Sequence, residues 1–102
     1  MAQYDVHRNL SGDARVPYLL DVQSAVLSAL KTRVVIPVVP LSEYPEPMSR
    51  VNPVVEISGV PHVLATTELA GAPASLLGDV VASLTDNSHD IVNAIDFLHQ
   101  GY

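Results

Sequence analysis

PYLLDVQSAVLSALKTRVVIPV, residues Pro17 to Val38, holds two apolar, β-prone runs joined by a linker of small residues, and the other segments are read against it. Tyr18, Leu20 and Val22 alternate with Leu19 and Asp21, the period of a strand with one buried face. Val34, Val35, Ile36 and Val38 form a denser β-branched run, suited to a central strand. The linker, Gln23 to Thr32, is too short and too weakly periodic for a core helix, and its pattern puts Ser24, Val26 and Leu27 in a single helical turn at the surface. An apolar turn on a surface implies contact with something. Neither run carries a catalytic constellation.

The 102 residues are expected to form one domain with a modest core. Hydrophobic residues make up 48% and charged residues 16%, which removes the chain from the disordered class, while eight prolines favour short strands and turns over long packed helices. The formal net charge of −6, with five Lys and Arg spread along the first half, argues against a surface that tracks phosphates. A basic protein partner fits better, and no direct contact with nucleic acid is expected. With no cysteine, disulfides, thiolate catalysis and Cys-ligated zinc are excluded. The opening MAQYDVHRN lacks the apolar segment of a secretory leader, and no apolar run approaches the ~18 residues of a membrane span, so the chain reads as cytoplasmic with no membrane attachment.

In chain order, Gln3 to His7 alternates like a half-buried first strand, with Tyr4 and Val6 inward and Gln3, Asp5 and His7 outward, and Asn9 to Arg15 supplies turn chemistry. The strand from Pro17 to Val22 is expected to run antiparallel to the first. Pro40, Pro45 and Pro47 make residues 40–52 a long surface loop. Pro53–Ile57 and Val60–Thr66 are two short strands around Ser58 and Gly59, which supply the positive φ of a tight hairpin, and Pro61 puts the second strand near an edge or a bulge. Thr67 to Gly78 reads as a crossing loop with room for one turn at Ala74–Leu77, and Asp79 to Leu84 as a last strand. The helix follows: Ser88 is its expected N-cap, Asp90 suits its positive end, Ile91, Ala94, Ile95 and Leu98 form its core face, and Gly101 stops it. Five or six short antiparallel strands and a C-terminal α-helix describe a mainly β protein, a small twisted barrel or paired sheets.

His7, His62, His89 and His99 show no metal-ligand spacing; His89 and His99 share the helix but stand too far apart along it for one ion. Asp79, Asp86, Asp90 and Asp96 could in principle pair, but Asp86 and Asp90 lie around the helix start, where capping is the simpler reading than catalysis. No nucleophile elbow or phosphate loop is present. No catalytic residue, metal or cofactor is therefore expected. The tail FLHQGY leaves two readings open: Phe97, Leu98 and Tyr102 pack the helix on the sheet, or they form a contact surface with a terminal aromatic anchor.

PYLLDVQS, TRVVIPV, VNPVVEISG, PASLLGDVVASL and IVNAIDFLHQGY, taken together and in order, resemble the CcdB family of bacterial toxins over nearly the whole chain. The resemblance implies that residues 1–102 are one CcdB-like toxin domain with an SH3-like barrel of the CcdB and MazF type, assembled as a homodimer. It also implies a toxin that is not an enzyme, that binds the A subunit of DNA gyrase and traps the enzyme's DNA-cleavage complex, and that is neutralised by a cognate CcdA-like antitoxin. Carried over by position, the gyrase-binding residues are Ser24, Val26, Leu27, Asp96, Gln100, Gly101 and Tyr102. The best-known members have tryptophan where this chain has Gln100, asparagine at Asp96 and isoleucine at Tyr102; losing the indole removes stacking and burial from an anchor position. Two other readings stand beside this one: an endoribonuclease toxin of the MazF/Kid type, which the acidic balance opposes, and a diverged homologue that binds antitoxin alone.

Overall fold

One strand organises the sheet because it pairs with three others. The computed structural model describes residues 2–101, in which β3 (Thr32–Pro40) lies along β2 (Tyr18–Asp21) on one side. Its other side is divided: Thr32–Val35 pairs with β6 (Ala70–Pro73), and Val38–Pro40 pairs with β5 (Val60–Leu64). Pro37 falls in the gap between these partners. Its carbonyl accepts the Ala65 N–H at 2.9 Å on that side, so the N–H it lacks is not one the ladder to β2 would have used. A proline thus sits at the centre of the sheet without breaking it.

The remaining pairings complete a curled, all-antiparallel sheet. β1 (Asp5–Asn9) lies between β2 and β7 (Leu77–Ser83), and β4 (Val54–Ile57) pairs with β5, giving the order β4-β5-β3-β2-β1-β7 with β6 alongside β3. The period-2 alternation sorts side chains to two faces. Val6, Leu20, Ile36, Val38, Val55, Ile57 and Leu64 join Leu84 and Ile91 in the main core, while Leu19, Val35 and Leu77 form a smaller cluster. The helix α1 (Ser88–Gln100) closes the main core through Ile91, Ala94 and the partly buried Ile95, an i, i+3, i+4 stripe.

The mainly β architecture and the terminal helix are as the sequence predicts, with several local differences. The first strand begins at Asp5, because Tyr4 takes a φ of 71° and turns its N–H to Asp21 O and its carbonyl to the Leu84 N–H. His7, expected to face solvent, is buried between β2 and β7. Thr67–Gly78 is not a simple crossing loop: its middle forms β6, followed by a 3₁₀ turn at Ala74–Leu76 and the start of β7, which makes seven strands among the described residues. Short runs with Gly71 and Pro73 carry little periodicity, and only the free edge of β3 makes them a strand. Loop 40–52 ends inside the protein, where buried Asn52 accepts the Met48 N–H and donates to Leu64 O. Asn87, not Ser88, precedes the helix, and it makes no side-chain cap, because a 3₁₀ turn at Thr85–Asn87 feeds directly into it. Leu98 is exposed, so the buried helix stripe ends at Ile95.

Pro61 lies past the end of β3, where β5 has β4 alone for a neighbour and the missing donor is not needed. Ser58 and Gly59, with φ of 53° and 78°, form the two-residue turn expected between them. Serine tolerates this left-handed conformation less well than asparagine. Ser58→Asn should therefore raise stability by roughly 0.5 kcal/mol, and Gly59→Val should lower it by about 1–2 kcal/mol, read as melting temperatures. Equal melting temperatures for the two variants would contradict this turn geometry.

Candidate functional site

Asp21 is the last residue of β2, and its carboxylate is fully buried. One oxygen, Oδ2, accepts from Arg33 Nε at 3.0 Å and Nη2 at 2.6 Å, and the other, Oδ1, accepts the backbone N–H of Gln23 at 3.0 Å. Both charges of the pair are withdrawn from water, Arg33 being 1% exposed. Such a pair persists because either partner alone would be a buried, uncompensated charge. Arg33 Nη1 finds no partner, so the network is satisfied on the Asp21 side only.

Beyond this pair the hairpin opens. From Ser24 to Leu30 every residue is exposed, and Ala25–Leu27 form a 3₁₀ turn whose start is capped by Ser24 Oγ accepting from the Val26 N–H. Val26 is 89% exposed, with Leu27 and Leu30 about half exposed beside it. Three aliphatic side chains on one short excursion form an apolar projection that folding does not cover. Gln23, buried beneath it, accepts the Val34 N–H through Oε1 at 2.9 Å and donates from Nε2 to Leu27 O at 2.7 Å.

A second surface feature lies along α1. Asp90, Asn93 and Asp96, three residues apart on one helical face, line a cleft of about 580 Å³ with Ser49, Arg50, Pro53 and Val54. The guanidinium of Arg50 stands 4.7 Å from the centre of the Phe97 ring, which ties the end of loop 40–52 to the helix. Gly101 ends α1 in the left-handed region with a φ of 75°, and its N–H bonds to Phe97 O. Asp90 and Asp96 make the cleft a place for hydrogen-bonding or cationic groups.

His7 Nδ1 is bonded to Gly78 O at 2.9 Å, and His62 Nδ1 to Val60 O at 2.8 Å, both deep in the sheet. A carbonyl can only accept, so each ring carries its proton on Nδ1. His89 and His99 are exposed on the helix. Among the described residues, no three His, Asp or Glu side chains converge on a metal position. Among the described residues, no helix is long and apolar enough to cross a membrane.

Residues 3–101 match the family model described as CcdB protein. The chain belongs to the CcdB family. It is accordingly the toxin component of a toxin–antitoxin system. Among solved structures, an endoribonuclease in complex with its cognate antitoxin, from a mycobacterial species, superposes with a TM-score of 0.78 at 14% identity, over 97% of this chain and 94% of that one. The Mycobacterium tuberculosis toxin MazF-mt6 gives a TM-score of 0.74 at 17% identity, over 93% and 95%. At these identities the likeness is one of fold, and it joins this CcdB-family chain to the MazF architecture.

The residues singled out from the CcdB resemblance fall into two groups. Ser24, Val26 and Leu27 stand on the excursion after β2, and Asp96, Gln100 and Gly101 stand on α1 and its end, all of them exposed. Tyr102 lies outside the described residues. Among the described residues, no hydrogen bond or ion pair joins one group to the other. The residues that the sequence reading missed are Arg33, Gln23 and Asp21. The signal was available: an arginine opening a valine-rich strand, two positions from the residue that pairs with an aspartate across the hairpin, is a diagonal cross-strand ion pair.

Removing one partner of the pair strands the other. Asp21→Ala should cost about 3–5 kcal/mol in urea denaturation, and the Asp21→Leu, Arg33→Met double variant should be much less destabilised than either single change. A cost below about 1 kcal/mol for Asp21→Ala would mean that the carboxylate is solvated.

Proposed function

We propose that this protein binds the A subunit of DNA gyrase and traps the gyrase DNA-cleavage complex, acting through surface contact and not as an enzyme. The observation that carries the reading is the apolar excursion at Ser24–Leu30, exposed in a CcdB-family chain in which, among the described residues, no hydrogen bond or ion pair joins a histidine to a carboxylate. The gyrase-binding surface comprises Ser24, Val26 and Leu27 with Asp96, Gln100, Gly101 and Tyr102. Among the described residues no hydrogen bond or ion pair joins the two groups, and a homodimer supplies a second copy that can complete the surface. The toxin acts in the cytoplasm, without a cofactor, and is neutralised by a cognate CcdA-like antitoxin. The antitoxin-bound endoribonuclease of the same fold supports that partnership, and the net charge of −6 suits a basic partner segment.

An RNA-cleaving function of the MazF/Kid type is the second reading, favoured by the fold likeness. It would need accessible cations against phosphate and an activated proton-transfer pair. Arg33 is buried against Asp21, and Arg50 sits over Phe97 beside Asp90 and Asp96, which leaves Arg8, Arg15 and Lys31 as dispersed surface charges.

Purified protein incubated with gyrase, supercoiled DNA and ATP should yield linear DNA after denaturation, and labelled RNA should stay intact. RNA cleavage lost in a single His→Ala variant would bring the nuclease reading forward, and neither activity would leave a homologue that binds antitoxin only. Sedimentation at micromolar concentration should give a dimer. Tyr102→Ala should weaken binding to a gyrase fragment carrying the toxin site about 30-fold, near 2 kcal/mol, with an unchanged melting temperature. Gln100→Trp should tighten it. Calorimetry that finds Tyr102→Ala as tight as the parent would assign the tail another role.

A further inference from the structure

We propose that Gln23 is the positioning residue of the apolar projection: its buried amide, braced by the Asp21–Arg33 pair, fixes the conformation in which Val26, Leu27 and Leu30 are presented together. The strands β2 and β3 part in a particular way. After the Asp21↔Val35 rung, the next rung is half made, with the Val22 N–H donating to Val34 O at 3.0 Å. The reciprocal bond is absent. The Val34 N–H goes to Gln23 Oε1 instead, and the Val22 carbonyl it would have met accepts from Gln3 Nε2 at 3.2 Å. A side-chain amide has been inserted where the ladder would have continued.

The other end of that amide reaches the projection. Gln23 Nε2 donates to Leu27 O, the carbonyl that also receives the Leu30 N–H at 3.2 Å, so it meets the chain where two successive turns join. Among the described residues, every other hydrogen bond made by Ser24–Leu30 stays within that run. No side chain of the run is buried, so packing does not hold it either. Order is transmitted from Arg33 to Asp21, from Asp21 to the Gln23 backbone, and from the Gln23 side chain to Leu27.

The glutamine side chain meets a specific requirement. Val34 N–H can only donate and Leu27 C=O can only accept, so the bridging group needs an acceptor and a donor on one planar unit. Glutamate keeps the acceptor and loses the donor, methionine keeps the length and loses both, and asparagine is one methylene short.

The test uses the full chain, free in solution, with Gln23→Glu and Gln23→Met. Backbone order parameters for residues 25–30 should be near the rigid value of about 0.85 in the parent and below about 0.6 in both variants, with β2 and β3 unchanged. Amide exchange separates the two ends of the side chain. At Val34 it should be at least tenfold faster in Gln23→Met and unchanged in Gln23→Glu, a pattern that general destabilisation does not produce. Affinity for the gyrase fragment should fall tenfold or more in both. If Gln23→Met leaves residues 25–30 as ordered as in the parent, if the parent run is itself mobile, or if order is lost evenly across the sheet, the proposal is overturned. The binding arm rests on the gyrase reading: a parent without gyrase affinity defeats that reading, while the order parameters still decide the role of Gln23.

Discussion

Arg33 carries a full positive charge into a sheet of valines and leucines, and the parted end of the β2–β3 hairpin is arranged around that fact. A guanidinium at 1% exposure requires a carboxylate at hydrogen-bonding distance, and Asp21 provides both its Nε and Nη2 contacts. Because Asp21 spends its second oxygen on the Gln23 N–H, the chain after β2 is turned at a defined place. A hydrophobic pair of similar volume would satisfy the core, but it would not direct the backbone. The ion pair is therefore better understood as a device that fixes where the strands separate than as a source of net stability.

The sheet tolerates this because β3 divides its neighbours. The segment that bears Arg33 lies between β2 and β6, and the segment after Pro37 lies between β2 and β5. Each face of the sheet has its own cluster of apolar contacts, the larger one closed by Ile91 and Ala94 of α1. Two surfaces remain outside these clusters. One is the aliphatic projection at Ser24–Leu30; the other is the acidic cleft along α1, lined by Asp90, Asn93 and Asp96. They differ in chemistry, apolar against acidic.

The fold shared with MazF toxins bears on function through particular side chains. The architecture does not distinguish a ribonuclease from a gyrase poison, because either activity depends on what the sheet displays. Here Arg33, in the hairpin below the apolar projection, is neutralised and buried, and the two deep histidines are bonded to backbone carbonyls.

Local pattern carried much of this in the sequence. The strand at Tyr18–Val22, the β-branched run of β3, the Ser58–Gly59 turn, the Ile91, Ala94, Ile95 stripe and the terminal Gly101 each follow from short-range sterics and periodicity, and each was legible, although β2 is buried on both faces and not on one as its alternation predicts. The exposed turn at Ser24–Leu27 was legible for the same reason: an apolar run too short for a core helix has nowhere to be buried. What stayed hidden depends on contacts between distant segments. Residues 70–73 become a strand only because β3 has a free edge, His7 is buried only because β7 closes over β1, and Leu98 is exposed because the stripe that packs on the sheet ends at Ile95. Gln23 reads as an ordinary polar linker residue until β2 and β3 are in register. Sequence spacing encodes which way a side chain points; whether a polar group there is solvated, paired or made to replace a rung of the sheet is decided by the strand that folding brings beside it.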